Sequence, residues 1–141
     1  MNITLLCIGK VKESYLREGI QEFTTRLRKY HSFDLLEIKD STPAKETKQI
    51  LSKISNAFVV VLDVKGKQLA SEAFAQFLKK QEKKIIFILG GPEGVTDLVK
   101  QRADLPLSLS SMTMPHEYCR LFFIEQLYRA FTILKGEKYH K

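Results

Sequence analysis

Cysteine is scarce in this chain, with two among 141 residues. Cys7 and Cys119 stand far apart in apolar segments, outside any CxxC pair or His/Cys cluster. That excludes the spacing of a zinc site, so no metal is expected, and it fits reduced core thiols. No apolar run reaches membrane-spanning length, which argues against a membrane helix. The start, Met1 to Cys7, is apolar but has no basic leader and stops at Gly9-Lys10. It reads as a first strand rather than a signal peptide. Internal repeats, low-complexity stretches and linkers are missing too. Neither GxGxxG nor GxxxxGK followed by Ser or Thr occurs, so the dinucleotide-fold and P-loop signatures are absent.

What is present is an ordinary globular composition, 44% apolar and 28% charged, at a length suited to one domain. The net charge is +7 and is spread along the chain rather than held in a tail. Such a field favours a polyanionic partner, most simply nucleic acid, although many basic proteins bind none.

The pattern alternates strand and helix. Residues 2–8 form an apolar run closed by Gly9. Leu16, Ile20, Phe23, Leu27 and Tyr30 recur at helical steps over 13–30. Phe33 to Ile38 reads as a strand, and Thr42-Pro43 as the cap and first residue of a helix to about Ser55. Ala57 to Leu62 and Ile85 to Leu89 are unbroken β-rich runs, as in strands covered on both faces. Ser71 to Lys80 is a short helix, another starts near Thr96, Leu105 to Leu109 is a brief strand, and a last helix runs from Pro115-His116 to about Leu134. The sum is a single-domain α/β fold with a mostly parallel sheet of five or six strands and helices on both faces. The last helix is apolar nearly all round, from Leu121 to Leu134. One sheet face buries only a stripe of a helix. A homodimer through this helix is therefore expected, unless another helix of the same chain covers it.

Ligands of open α/β sheets sit beyond the carboxyl ends of strands. Three loops leave such ends: 63–67, 90–94 and 110–114. In Gly90-Gly91-Pro92-Glu93-Gly94, missing Cβ atoms let backbone polar groups approach a flat ligand. Taken alone, the segment equally suits a plain tight turn. Leu109 to His116 offers hydroxyls for a ligand's edge and methionines for an apolar ring, or else a capped helix start with core methionines. The tail, Lys135 to Lys141, reads by default as frayed chain, yet it carries an aromatic, an imidazole and lysines after a glycine. Arg129, four residues after Glu125, is either a helical ion pair or an active-site charge.

In these residues the sequence resembles the ribosomal RNA large subunit methyltransferase H family of the SPOUT superfamily. The matching pieces are Ile8-Gly9-Lys10, Val61-Leu62-Asp63 with Gly66-Lys67, Leu89 to Gly94, Leu107 to His116, Glu125 to Ala130 and Tyr139-His140-Lys141. They occur in the family's order over essentially the whole chain. Two departures are a tail without the proline often found before the Tyr-His pair, and somewhat shorter loops in the first half.

The resemblance implies one SPOUT domain over 1–141, with a trefoil knot at about 57–141 holding S-adenosylmethionine. It implies cofactor contacts from Leu62, Gly90, Leu109, Ser110, Ser111, Met112, Thr113 and Met114. It further implies a cytoplasmic homodimer whose sites are each completed by the partner. The implied reaction methylates N3 of a pseudouridine in helix 69 of 23S ribosomal RNA, within the assembled ribosome. Arg129, Tyr139, His140 and His116 are the expected catalytic neighbourhood, with Arg129 stabilising an anion, Tyr139 stacking, and His140 contacting the base or moving a proton. His116 alternatively serves only the helix start. A SPOUT enzyme acting on tRNA and a non-catalytic basic RNA-binding protein are the alternative readings.

Overall fold

A computed structural model describes residues 2–141. Five strands form one parallel sheet in the order β2-β1-β4-β3-β5. The strands are β1 (Ile3–Ile8), β2 (Phe33–Ile38), β3 (Phe58–Gln68), β4 (Ile85–Leu89) and β5 (Leu105–Ser108). The helices are α1 (Ser14–Arg28), α2 (Pro43–Lys53), α3 (Ser71–Lys80), α4 (Asp97–Lys100) and α5 (His116–Leu134). Every residue of β1 and β4 is buried, as the unbroken apolar runs require of strands covered on both faces.

Side chains alternate across the sheet and so feed two cores. Leu6, Ile8, Val59, Val61, Ile86 and Ile88 face α2 and α4, where they meet Ile50, Ile54 and Val99. Leu5, Cys7, Val60, Phe87 and Leu107 face α1, α3 and α5. There Phe87 and Phe123 lie 4.7 Å apart between ring centres. At α2, Thr42 caps the helix by accepting from the Lys45 amide at 3.2 Å, with Pro43 in the first turn.

One feature differs from the sequence reading, and a second bears on an alternative it left open. β3 does not stop at Leu62; it runs on to Gln68, with an irregularity between Leu62 and Lys67 where it pairs with β5. A Cβ on Gly66 would sit 2.6 Å from the Pro106 carbonyl carbon, so this close pairing of backbones depends on glycine. Helix α5 lies between α1 and α3, which cover much of its apolar circumference within one chain. What stays open is a strip at its amino-terminal half, where Tyr118 and Phe122 are 45% and 40% exposed.

Gly136 ends α5 in the left-handed region at φ +70°, and the Glu137 amide reaches back to the Thr132 carbonyl at 2.9 Å. This reversal folds the tail back along the helix, where Tyr139 and His140 pack against it. No helix is long and apolar enough to cross a membrane, and no group of three metal-ligating side chains occurs among the described residues.

Candidate active site

The middle of β3 and the carboxyl ends of β4 and β5 surround a cavity of about 310 Å³. Its floor is the turn after β4. Gly91 and Gly94 form an isolated bridge, closed by the Gly94 amide donating to the Gly91 carbonyl at 3.0 Å. Gly94 holds φ +77°. A Cβ on Gly90 would lie 2.5 Å from the Gly94 carbonyl carbon and 2.8 Å from its oxygen. No larger residue can therefore stand at 90 without moving the turn.

The opposite wall is the loop after β5. Ser108 Oγ donates to the Ser110 carbonyl at 3.0 Å, and Ser110 Oγ accepts from the Met112 amide at 3.0 Å. These local bonds shape a segment that has no regular structure. Leu62, Gly90, Leu109, Ser110, Met112, Thr113 and Met114 all line the cavity, while Ser111 is exposed beside it. Met112 is 78% exposed, so its thioether is free to close over a bound ring. Asp63 and Lys100 stand at the rim, 3.8 Å apart.

The residues fit S-adenosylmethionine. A cradle without Cβ, leucine walls and a rim of backbone and hydroxyl groups match a flat base with polar edges joined to a charged chain. Cys119, read from sequence as a core thiol, also lines this cavity. Its spacing along α5 from His116 puts both on the face turned to the loop, a signal visible only once that loop is placed. Burial pushes the Cys119 thiol up to about 11 and the Cys7 thiol to about 12, so neither is a nucleophile at neutral pH.

The four expected catalytic residues fall in two places. His116 lines the cofactor cavity. Arg129, Tyr139 and His140 gather around Glu125, away from it. Arg129 Nη2 and Tyr139 Oη donate to the same Glu125 oxygen at 2.8 and 2.6 Å. The Arg129 guanidinium lies 4.9 Å from the Tyr139 ring centre, and His140 Nε2 is 3.4 Å from Glu72. Arg129 is thus both an ion pair with Glu125 and part of the tail cluster. Desolvation, then the bond to Glu125, pushes the Tyr139 hydroxyl up to about 12.

A parallel sheet with a pocket between a glycine turn and a serine-methionine loop is the frame this chain shares with a class of methyltransferases. The chain matches the family described as "Predicted SPOUT methyltransferase" over residues 1–140. In fold it is similar to a probable methylase family protein from Haemophilus influenzae, with TM-score 0.61 and 12% identity over 99% of this chain and 70% of that one. It is likewise similar to a tRNA methyltransferase from Aquifex aeolicus, with TM-score 0.60 and 17% identity over 100% and 75%.

Within that class the sequence is similar to ribosomal RNA large subunit methyltransferase H from Carboxydothermus hydrogenoformans, 43% identical over 100% of both chains. The protein of the same name from Bacillus pumilus is 42% identical over the same shares. The chain belongs to the SPOUT methyltransferases and, among them, to the ribosomal RNA large subunit methyltransferase H family. It is a methyltransferase whose methyl donor is S-adenosylmethionine.

Proposed function

We propose that this protein methylates N3 of a pseudouridine in helix 69 of 23S ribosomal RNA, on the assembled ribosome, as a homodimer. The observation that carries the reading is the cofactor cavity, where Leu62, the Gly90 cradle and the Leu109–Met114 wall meet in one chain. The relatives' names supply the substrate, ribosomal RNA of the large subunit. A trefoil knot over about 57–141 is part of the proposal. It is supported by the way the 90–94 turn and the 109–114 loop line one cavity.

The bound sulfonium supplies an already activated methyl group, so the chain's task is largely positioning. Gly90 and the loop after β5 hold the donor. The N3 of the base must lose its proton, and a nearby guanidinium favours the resulting anion. Arg129 takes that role, Tyr139 positions the base, and His140 or His116 handles the proton.

The tail groups do not line their own chain's cofactor cavity. An open apolar groove connects the two places: Met114 lines both the cavity and the groove, and Glu125 lines the groove while bonding Arg129 and Tyr139. Its remaining walls include Phe23, Tyr118, Leu121 and Phe122. A two-fold dimer across this groove brings the tail cluster of each copy towards its partner's cofactor site. Sedimentation should give a dimer at micromolar concentration and a monomer for Phe122→Glu; a wild-type monomer sinks the shared site.

Radiolabelled S-adenosylmethionine offered with ribosomes, free ribosomal RNA fragments and tRNA tests the substrate. Label should enter ribosomes far above the other two. Entry into tRNA alone favours the tRNA alternative, and no binding of the donor favours a non-catalytic RNA-binding scaffold.

A further inference from the structure

A second groove of about 560 Å³ runs along the outer face of α1, between that helix and the edge strand β2. It is separate from both the cofactor cavity and the apolar groove. Its walls carry Lys10, Arg17, Arg28 and Arg120, with Glu37 as the one carboxylate.

The charges are not equivalent. Arg120 is only 2% exposed, bonds Glu37 through Nη1 and donates to the Gly9 carbonyl from Nη2 at 3.0 Å. That pair neutralises Glu37 and leaves Lys10, Arg17 and Arg28 as the surplus. None of the three forms an ion pair among the described residues. Arg17 Nη1 is held by the Val11 and Lys12 carbonyls at 3.2 and 2.6 Å, and Arg28 Nε by the Phe33 carbonyl at 3.0 Å. Neutral acceptors fix these guanidiniums in place without cancelling their charge, and their remaining N–H groups stay free for a ligand. Deeper in the wall, Arg120 Nε and Thr24 Oγ1 are buried without partners. The cavity on the far side of the glycine turn has the opposite character, with Asp40, Glu46 and Glu93 in its walls.

Arg17 and Arg28 are three turns apart on α1, about 16 Å at 1.5 Å per residue. A lone phosphate ion cannot span that length; a nucleic-acid strand can. The groove begins at Lys10, just past the end of β1. That strand pairs with β4, whose end carries Gly90.

We propose that this groove binds the phosphate backbone of the RNA strand flanking the methylated base, with Lys10, Arg17 and Arg28 as its contacts. The proposal rests on the RNA-methylating reading above.

The test is the triple variant Lys10→Gln, Arg17→Gln, Arg28→Gln, with Lys10→Glu as a second variant because Lys10 has no side-chain bond to lose. Melting and calorimetry with S-adenosylmethionine confirm folding and an intact donor site. KM for ribosomes should rise roughly tenfold with kcat unchanged. The slope of log K against log salt for binding large subunits should fall by about 2, at about 0.7 per lost contact with a single strand. A control, Lys79→Gln, Lys80→Gln, Lys83→Gln, should change neither. Unchanged KM and slope, or an equal loss in the control, overturns the proposal. So does saturable micromolar binding of inorganic phosphate that the triple variant abolishes, since that marks a small-anion site. If wild type fails to methylate ribosomes, the substrate reading falls; the binding slopes with ribosomes and tRNA then decide the groove independently.

Discussion

Arg129 Nη1 donates to Nδ1 of His140, eleven residues further on, at 3.0 Å. A guanidinium has no lone pair to offer, so Nδ1 must be the acceptor and the ring proton of neutral His140 sits on Nε2, towards Glu72. The tail's imidazole therefore has a fixed tautomer and orientation, set by a residue on α5. This ties the two expected catalytic groups into one unit.

Arg129→Ala should lower the single-turnover methylation rate by about 10²–10³, the range for removing a preorganised charge donor. S-adenosylmethionine affinity should be unchanged, because Arg129 does not line the cofactor cavity. Arg129→Lys should not rescue, since one ammonium cannot serve Glu125 and His140 in the same planar fork. A single-turnover rate equal to wild type removes Arg129 from the chemistry.

Tyr139 gives a pH dependence. Its hydroxyl is raised from the ordinary 10 to about 12 in the folded chain. Above pH 10 the unfolded chain releases this proton while the folded chain keeps it, so stability falls as pH rises through 10–12. Below pH 10 the contribution is fully present. Phenolate absorbance of Tyr139→Phe should lack part of the signal that appears near pH 12 in wild type. Loss of signal near pH 10 instead would mean that the burial of Tyr139 and its bond to Glu125 do not persist in solution.

Gly90→Ala should remove the heat of S-adenosylmethionine binding and lower the melting temperature. Its Cβ meets backbone at 2.5 Å, and such overpacking costs about 1–3 kcal/mol. Gly136→Ala is the comparison. It is strained by φ +70° but meets nothing within 4 Å, so it should loosen the tail and spare donor binding. Equal donor affinities for Gly90→Ala and wild type would contradict the cradle.

Cys119 should resist alkylation at pH 8, with its thiol held near 11 by burial, and resist it further with S-adenosylmethionine bound. Mass spectrometry after iodoacetamide reads both. Rapid labelling that the donor does not slow would place Cys119 outside the cofactor cavity.

Much of the fold was legible because local signals agreed. Helix α3 at Ser71–Lys80 and strands β2 and β4 lie where period and apolar runs put them. The extension of β3 to Gln68 was hidden, because Asp63 to Gln68 has Val64 as its one apolar side chain and its pairing with β5 rests on a close backbone approach at Gly66. Strand order is a long-range property, and no window of residues encodes that β4 inserts between β1 and β3. The covering of α5 by α1 and α3 stands in the sequence only as the alternative to a dimer, since an all-round apolar helix has no phase to read. For the site, the residue set came from the family's motif order. The shared Glu125 anchor of Arg129 and Tyr139 required the chain reversal at Gly136.

The account turns on a methyl group delivered to one base of the large ribosomal RNA. Mass mapping of 23S ribosomal RNA from cells with and without the gene tests it most directly. The account predicts one methyl group on N3 of a helix 69 pseudouridine, present with the gene, lost without it, and restored by wild type but not by Arg129→Ala. Identical methylation of that base in both cells, or a loss confined to tRNA, would contradict it.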